Sequence, residues 1–308
     1  MYRYTLEPYK SMKMKFHCPN CHRKTFTRYI DLETQEYINE FVGRCDREIK
    51  CGYHYKPKDY FLDNNFDYKP LTKKHIKTKA TKATYIKKEF LIQSIKNNYN
   101  NNFITFLIKL FGKTATKSLQ QKYLIGSSKY WPSANIFWQM DIKNRIRTGK
   151  IMLYNKETGK RIKKPFNHIF WVHKTQAIIK TLTTETFNLQ QCLFGEHLLK
   201  TNPTQTIGLV ESEKTAIISS IFYPKLIWLA TGGLNNLSYE KTKVLENRKI
   251  ILFPDLNAFD KWQEISNKLS SKIDIKIYDQ LESLAGSQER EKGYDIADYF
   301  LNEYIKHL

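Results

Sequence analysis

Four short apolar runs punctuate the last third of the chain: Ile-Gly-Leu-Val at 207–210, Leu-Ile-Trp-Leu-Ala-Thr at 226–231, Ile-Ile-Leu-Phe at 250–253 and Ile-Asp-Ile-Lys-Ile at 273–277. Each is too short for a helix, and the first three lack a polar face, as strands buried on both sides do. Residues 213–222, 238–246 and 259–269 lie between or after them and have helical character. Strand–helix alternation of this kind predicts an α/β region, a mostly parallel sheet with helices on both faces.

Upstream the periodicities change. Residues 89–99 and 103–111 carry apolar side chains at helical spacing, and Gly112 stands where a C-cap glycine would end the second helix. Residues 135–142, 146–154 and 160–162 read as a β-meander with turns at Lys143-Asn144 and Glu157-Thr158-Gly159. Trp138, Trp171 and Cys192 read as core. Near the N-terminus, 25–30 alternates and 37–42 returns, as the strands of a small ribbon would. These patterns divide the chain into a ribbon (1–60), a lysine-rich connector (61–100), a basic α+β region (101–200) and the α/β region (201–308).

Charge narrows the function. The 308 residues carry 51 Lys and Arg against 30 Asp and Glu, a net +21. Such an excess favours polyanions, above all nucleic acid, through counterion release. The meander concentrates it in Arg145, Arg147, Lys150, Lys160, Arg161, Lys163 and Lys164, a face suited to tracking phosphates. No amphipathic basic helix, signal-like segment or long apolar run is present, so the expectation is a soluble, cytoplasmic protein without a membrane partner.

Four of the five cysteines fall early, as Cys18-Pro-Asn-Cys21 and Cys45 with Cys51. Two thiolate pairs flanking a hairpin-length insert can close a tetrahedral Zn²⁺ shell, with His17, His22 and His54 as possible substitutes. A Cys₄ shell leaves no open position, so this zinc would be structural, holding together a segment too polar to fold on a core alone.

A second cluster is acidic. The run 207–210 ends in Glu211, and the run 250–253 ends in Pro254-Asp255. Carboxylates at the C-terminal ends of parallel strands stand where open α/β sheets bind ligands, and hard cations such as Mg²⁺ or Mn²⁺ are held by carboxylates together with substrate phosphates. Gly232-Gly233, after the strand 226–231, can bring backbone close to an anion. Near the end, Asp295 and Asp298 add two further carboxylates.

VESEK at 210–214, ATGG at 230–233 and PDLNAFDKW at 254–262 resemble the Toprim domain of bacterial-type primases, topoisomerases and related nucleases, and YDIADYFL at 294–301 is similar to the acidic segment that closes that region in primases. The order of zinc ribbon, basic middle and Toprim resembles primase-type proteins of Bacteroidetes mobile elements. The resemblance implies that Glu211 is the acid/base or metal-site glutamate, that Asp255 is the first metal-binding aspartate, and that Asp295 and Asp298 lie at the same centre. The second aspartate position holds Asn257, which offers a carbonyl oxygen but no charge; Asp260 follows closely. Lys214, one turn into the helix after Glu211, would offset phosphate charge.

The implied activity is synthesis of short RNA or DNA primers, nucleotidyl transfer from nucleoside triphosphates on a single-stranded DNA template, with single-stranded DNA or an RNA/DNA duplex as the nucleic-acid partner. No Walker A pattern is present, so a helicase, or replication and mobilisation proteins of a mobile element, would be separate partners. Two alternatives stay open: a DNA-binding accessory factor of recombination-mediator type with a retired site, and a Toprim nuclease or nickase.

Overall fold

The computed structural model describes residues 3–8, 14–48, 50–66, 82–96, 101–182 and 187–306. It divides into two compact units, Met1–Thr81 and Lys82–Leu308. Residues 67–81 and 97–100 of the stretch expected as a lysine-rich connector lie outside the described residues, and with them the end of the helix expected over 89–99. Among the described residues no helix is long and apolar enough to cross a membrane.

The first unit is built on strand β3 (Lys24–Asp31), with β1 (Tyr4–Leu6), β2 (Phe16–His17) and β4 (Gly43–Cys45) antiparallel to it and β5 (His54–Tyr55) beyond β4. Its core is small: Phe26, Cys18 and Cys45 are buried, with Phe16, Cys21, Cys51 and Tyr53 packed round them. Gly43 is required here, because a Cβ would lie 2.3 Å from the Thr27 carbonyl and 2.4 Å from the Phe26 ring. The returning strand is β4, not 37–42. Asn39 Oδ1 accepts from the Phe41 amide and folds that segment into a turn, leaving Tyr37 a single bridge to Ile30.

The second unit holds two sheets. Strands β6 (Ile125–Ser128), β7 (Ala134–Met140), β8 (Ile146–Met152) and β9 (Ile169–Trp171) form an antiparallel sheet in sequence order. The meander expectation placed its last strand at 160–162. The fourth strand is instead β9, and Arg161 makes one bridge to Tyr154. Asn155 Oδ1 captures the amides of Glu157 and Thr158, and Gly159, at φ 61°, lies over the Phe106 ring, so the chain turns away before pairing can continue. The helix Asn102–Tyr123 starts on Asn101, whose side chain accepts from the Phe103 and Ile104 amides. Gly112 breaks it at φ 77°, as a terminating glycine would, but helix resumes beyond.

Strands β10 (Ile207–Val210), β11 (Ile227–Ala230), β12 (Ile250–Phe253) and β13 (Ile275–Ile277) form the second sheet, all parallel, in the order β11-β10-β12-β13. Val210, Trp228 and Phe253 enter one apolar core with Ile217 of the helix Glu213–Phe222. Leu209, Leu229 and Leu252 enter another with Trp262 of the helix Phe259–Leu269. Alternate residues thus feed opposite faces, and a parallel sheet covered on both sides needs uninterrupted apolar strands. The fold is mixed α/β: an N-terminal ribbon, an antiparallel sheet and a parallel sheet.

Candidate functional site

In the ribbon the four cysteine sulfurs lie within 4.8 Å of one another. Cys18 Sγ is 3.6 Å from Cys51 Sγ and Cys21 Sγ 3.9 Å from Cys45 Sγ. A tetrahedron with Zn–S of about 2.3 Å has sulfur–sulfur edges of about 3.8 Å, so the set fits a structural zinc. Among the described residues it is the only such cluster of His, Cys, Asp or Glu. Two of the three histidines have other ring partners: His54 pairs with the Tyr29 hydroxyl at 2.9 Å and His17 Nδ1 with the His22 carbonyl at 3.0 Å. The thiols diverge: the backbone amide of Arg23 draws Cys21 down to about 6, whereas burial raises Cys18 and pushes Cys45 up to about 12.

The second cluster sits in the other unit, at the C-terminal edge of the parallel sheet. Strands β10 and β12 are neighbours, while β11, which follows β10 in the chain, lies on its far side; that reversal opens a crevice at the strand ends. Glu211 leaves β10 and Asp255 leaves β12 there. Glu211 Oε2 and Asp255 Oδ1 are buried and have no hydrogen-bond partner. Burial raises the Glu211 carboxyl, opposed by the Leu234 amide, Lys150 and Arg161. Burial pushes Asp255 well above the usual carboxylate range, and the charges of Glu211, Asp295 and Asp298 push it further.

Asp295 and Asp298 reach the edge from the start of the helix Ile296–Lys306. Each accepts the other's backbone amide, at 3.0 and 3.2 Å, a reciprocal helix cap. Asp295 Oδ2 also accepts from Thr215 Oγ1 at 2.5 Å, and the Leu256 amide bonds to the Tyr294 carbonyl at 2.9 Å, holding this segment beside the loop after β12. Lys214 Nζ stands 3.8 Å from Asp298 Oδ1. Burial and the charge of Asp295 raise the Asp298 carboxyl, while Lys214 and Lys160 oppose the rise. Asn257 differs: it is exposed, at φ 72°, and its amide nitrogen donates to the Arg290 carbonyl at 2.6 Å. Asp260 is exposed in the first turn of its helix.

The expected basic face splits in two. Arg145 and Arg147 both bind Asp141, at 2.9 and 2.8 Å, and lie over the Tyr85 ring. Lys150 is buried, donating at 3.1 Å to Glu213 Oε2 and to the Gly232 carbonyl. Lys160, Arg161, Lys163 and Lys164 are exposed. Glu213, buried with Oε1 unpartnered, is the residue sequence reasoning passed over; only its place at a helix start beside Glu211 marked it. Trp138 and Cys192 are core, as expected. Trp171 is only half-buried, because β9 is the edge strand of its sheet.

A family model described as a domain of unknown function, DUF6371, matches residues 101–256, just over half of the 308. The chain belongs to the DUF6371 family. The model of a zinc β-ribbon finger family matches residues 2–66. No curated protein matches this DUF6371 chain. Similar solved structures include primase fragments and domains. The RNA polymerase domain of Mycobacterium tuberculosis primase DnaG is 9% identical with a TM-score of 0.42, over 67% of this chain and 79% of that one. The primase fragment of the bacteriophage T7 primase-helicase protein is 12% identical with a TM-score of 0.36, over 91% and 98%. The zinc-binding and RNA polymerase domains of Aquifex aeolicus primase are 12% identical with a TM-score of 0.37, over 95% and 83%.

Proposed function

We propose that the chain is a primase-type nucleotidyltransferase that makes short primers on single-stranded DNA, with its chemistry on a Toprim-like region over 201–308. The observation that carries this reading is the pair of buried, unpartnered oxygens, Glu211 Oε2 and Asp255 Oδ1, at adjacent strand ends. A buried carboxylate oxygen left without a hydrogen bond is costly, and two such oxygen donors at neighbouring strand ends suit a hard divalent cation. Glu211, Asp255, Asp295 and Asp298 are the residues that would hold Mg²⁺ or Mn²⁺. Such an ion supplies Lewis-acid activation for phosphoryl transfer. Lys214, 3.8 Å from Asp298, would bind a nucleotide's phosphates, and Lys160 and Arg161, whose charges act on Asp298 and Glu211, would hold the template or triphosphate. In this reading the 101–200 region guides the template and the zinc ribbon over 1–60 selects where synthesis starts.

The test is primer synthesis. The full chain is given single-stranded DNA, labelled nucleoside triphosphates and Mg²⁺ or Mn²⁺, beside a Glu211→Gln control. Short labelled products absent from the control are expected; equal product from both proteins refutes the assignment.

A second reading is a DNA-binding accessory factor with a retired site. It is favoured by Asn257, which brings no charge and has its amide committed to Arg290. Tight DNA binding with no product in either metal would select it.

A further inference from the structure

Where the β6–β7 turn meets the segment entering β9, a run of aromatic rings forms one continuous patch. Tyr130 stacks on Phe170 with centroids 4.2 Å apart and planes 8° from parallel. Trp131 meets Tyr130 edge-on at 4.7 Å and His168 edge-on at 5.1 Å. His168 stacks in turn on Phe166 at 4.4 Å. Trp131 and Phe170 are half-buried against the core beneath the sheet, which fixes the patch, whereas Tyr130 and Phe166 are 46% and 40% exposed. Large aromatic rings held rigid from below and open above are surface that folding alone leaves uncovered.

The setting identifies the occupant. Lys129 adjoins Tyr130; Lys160, Arg161, Lys163 and Lys164 lead into Phe166, and from 158 to 182 the sequence contains no carboxylate. An apolar protein partner would meet a rim of one charge sign. Duplex nucleic acid would match the charge but keep its base faces covered. A single strand offers both, phosphates for the lysines and unpaired bases for the rings, and stacking on aromatic side chains is the usual sequence-tolerant grip on such strands.

We propose that Tyr130 and Phe166, backed by Trp131, His168 and Phe170, form a stacking platform for unpaired nucleobases, with the strand's phosphates running along the segment from Lys160 to Lys164. This rests on the nucleic-acid part of the function proposed above and adds the surface that grips the bases.

The experiment compares, by fluorescence anisotropy with the full chain, a labelled oligothymidylate and an abasic strand of equal length. Both carry the same phosphates, so any difference between them reports base contacts. The wild type should prefer the oligothymidylate by about tenfold or more, given the usual worth of aromatic–base stacking. Tyr130→Ala/Phe166→Ala should bind both strands alike, at the level at which the wild type binds the abasic one. Tyr130→Phe/Phe166→Tyr should keep the preference, and Lys164→Ala should weaken both strands equally. Unchanged circular dichroism checks that the alanine variant is folded. The proposal is overturned if the wild type does not distinguish the strands, or if the alanine variant still does. Failure to bind either strand would instead remove the nucleic-acid reading itself, so the two failures are told apart.

Discussion

Lys150 Nζ lies 3.1 Å from Glu213 Oε2 across 63 residues of sequence, and both side chains are buried. The same ammonium donates to the Gly232 carbonyl at 3.1 Å, and the Gly232 amide donates to the Glu211 carbonyl at 2.9 Å. One lysine from the antiparallel sheet therefore clamps the helix start and the glycine turn that frame the carboxylate edge. A side chain at Gly232 would be strained. That residue sits at φ 82°, and a Cβ there would come within 3.3 Å of Glu213 Oε1.

Removing one partner of that pair strands a buried charge. Lys150→Met should cost about 3–5 kcal/mol of stability, the usual penalty for breaking a buried ion pair. Lys150→Met/Glu213→Gln should regain a large part of it, because no uncompensated charge remains. Urea denaturation of the two variants measures both, and a destabilisation below about 1 kcal/mol for the single variant would show that the pair is unimportant.

How far these features were legible in the chain depends on whether their causes are local. Strands β10 and β12 could be read because each is a continuous apolar run feeding two cores, and Glu211 and Asp255 could be read because they end those runs. Strand β6 could not. Its sequence is Ile-Gly-Ser-Ser, and its burial depends on distant groups: a Cβ at Gly126 would lie 2.3 Å from Ser94 Oγ and 2.9 Å from Trp138 Nε1. The basic residues show the same limit. Arg145, Arg147 and Lys150 looked like surface charge; the β7–β8 turn brings the two arginines back to Asp141, and only the tertiary fold brings Lys150 to Glu213.

The ribbon should depend on its metal. Cys18→Ser or Cys45→Ser removes one of four sulfurs that lie within 4.8 Å of one another. About one zinc per wild-type chain is expected from the Cys₄ set, with most of it lost from either variant. Atomic absorption on the purified proteins measures this, and full retention in both variants would refute the shared site.

Single-strand binding should weaken steeply with salt. Every phosphate deprived of its cationic side chain should lower the slope of log affinity against log salt by about 0.7 for single strands. Lys160→Ala/Arg161→Ala removes two exposed cations and should lower it by roughly 1.4. Arg147→Ala, whose charge is held at 2.8 Å by Asp141, should change the slope little. Titrations at several salt concentrations separate the two variants, and equal slopes would place the phosphates elsewhere.

The carboxylate edge should be paid for in stability, with a sign that can be worked out. Burial and neighbouring negative charge raise Asp255 well above its ordinary 3.8. The native state therefore holds a proton that the unfolded chain has already released. Stability from this group is present below about pH 4, the ordinary carboxyl range, and is lost as pH rises through the folded value. Asp255→Asn removes the ionisation, so at neutral pH without divalent cation the variant should be more stable than the wild type, on the order of 1 kcal/mol for each pKa unit abolished. The difference should vanish in acid. Added Mg²⁺ or Mn²⁺ should raise the melting temperature of the wild type by occupying the native state, and should raise that of the variant much less. Thermal melts across pH, with and without the ions, test all three expectations; a variant less stable than the wild type at neutral pH would mean that Asp255 is held by partners rather than strained by its neighbours.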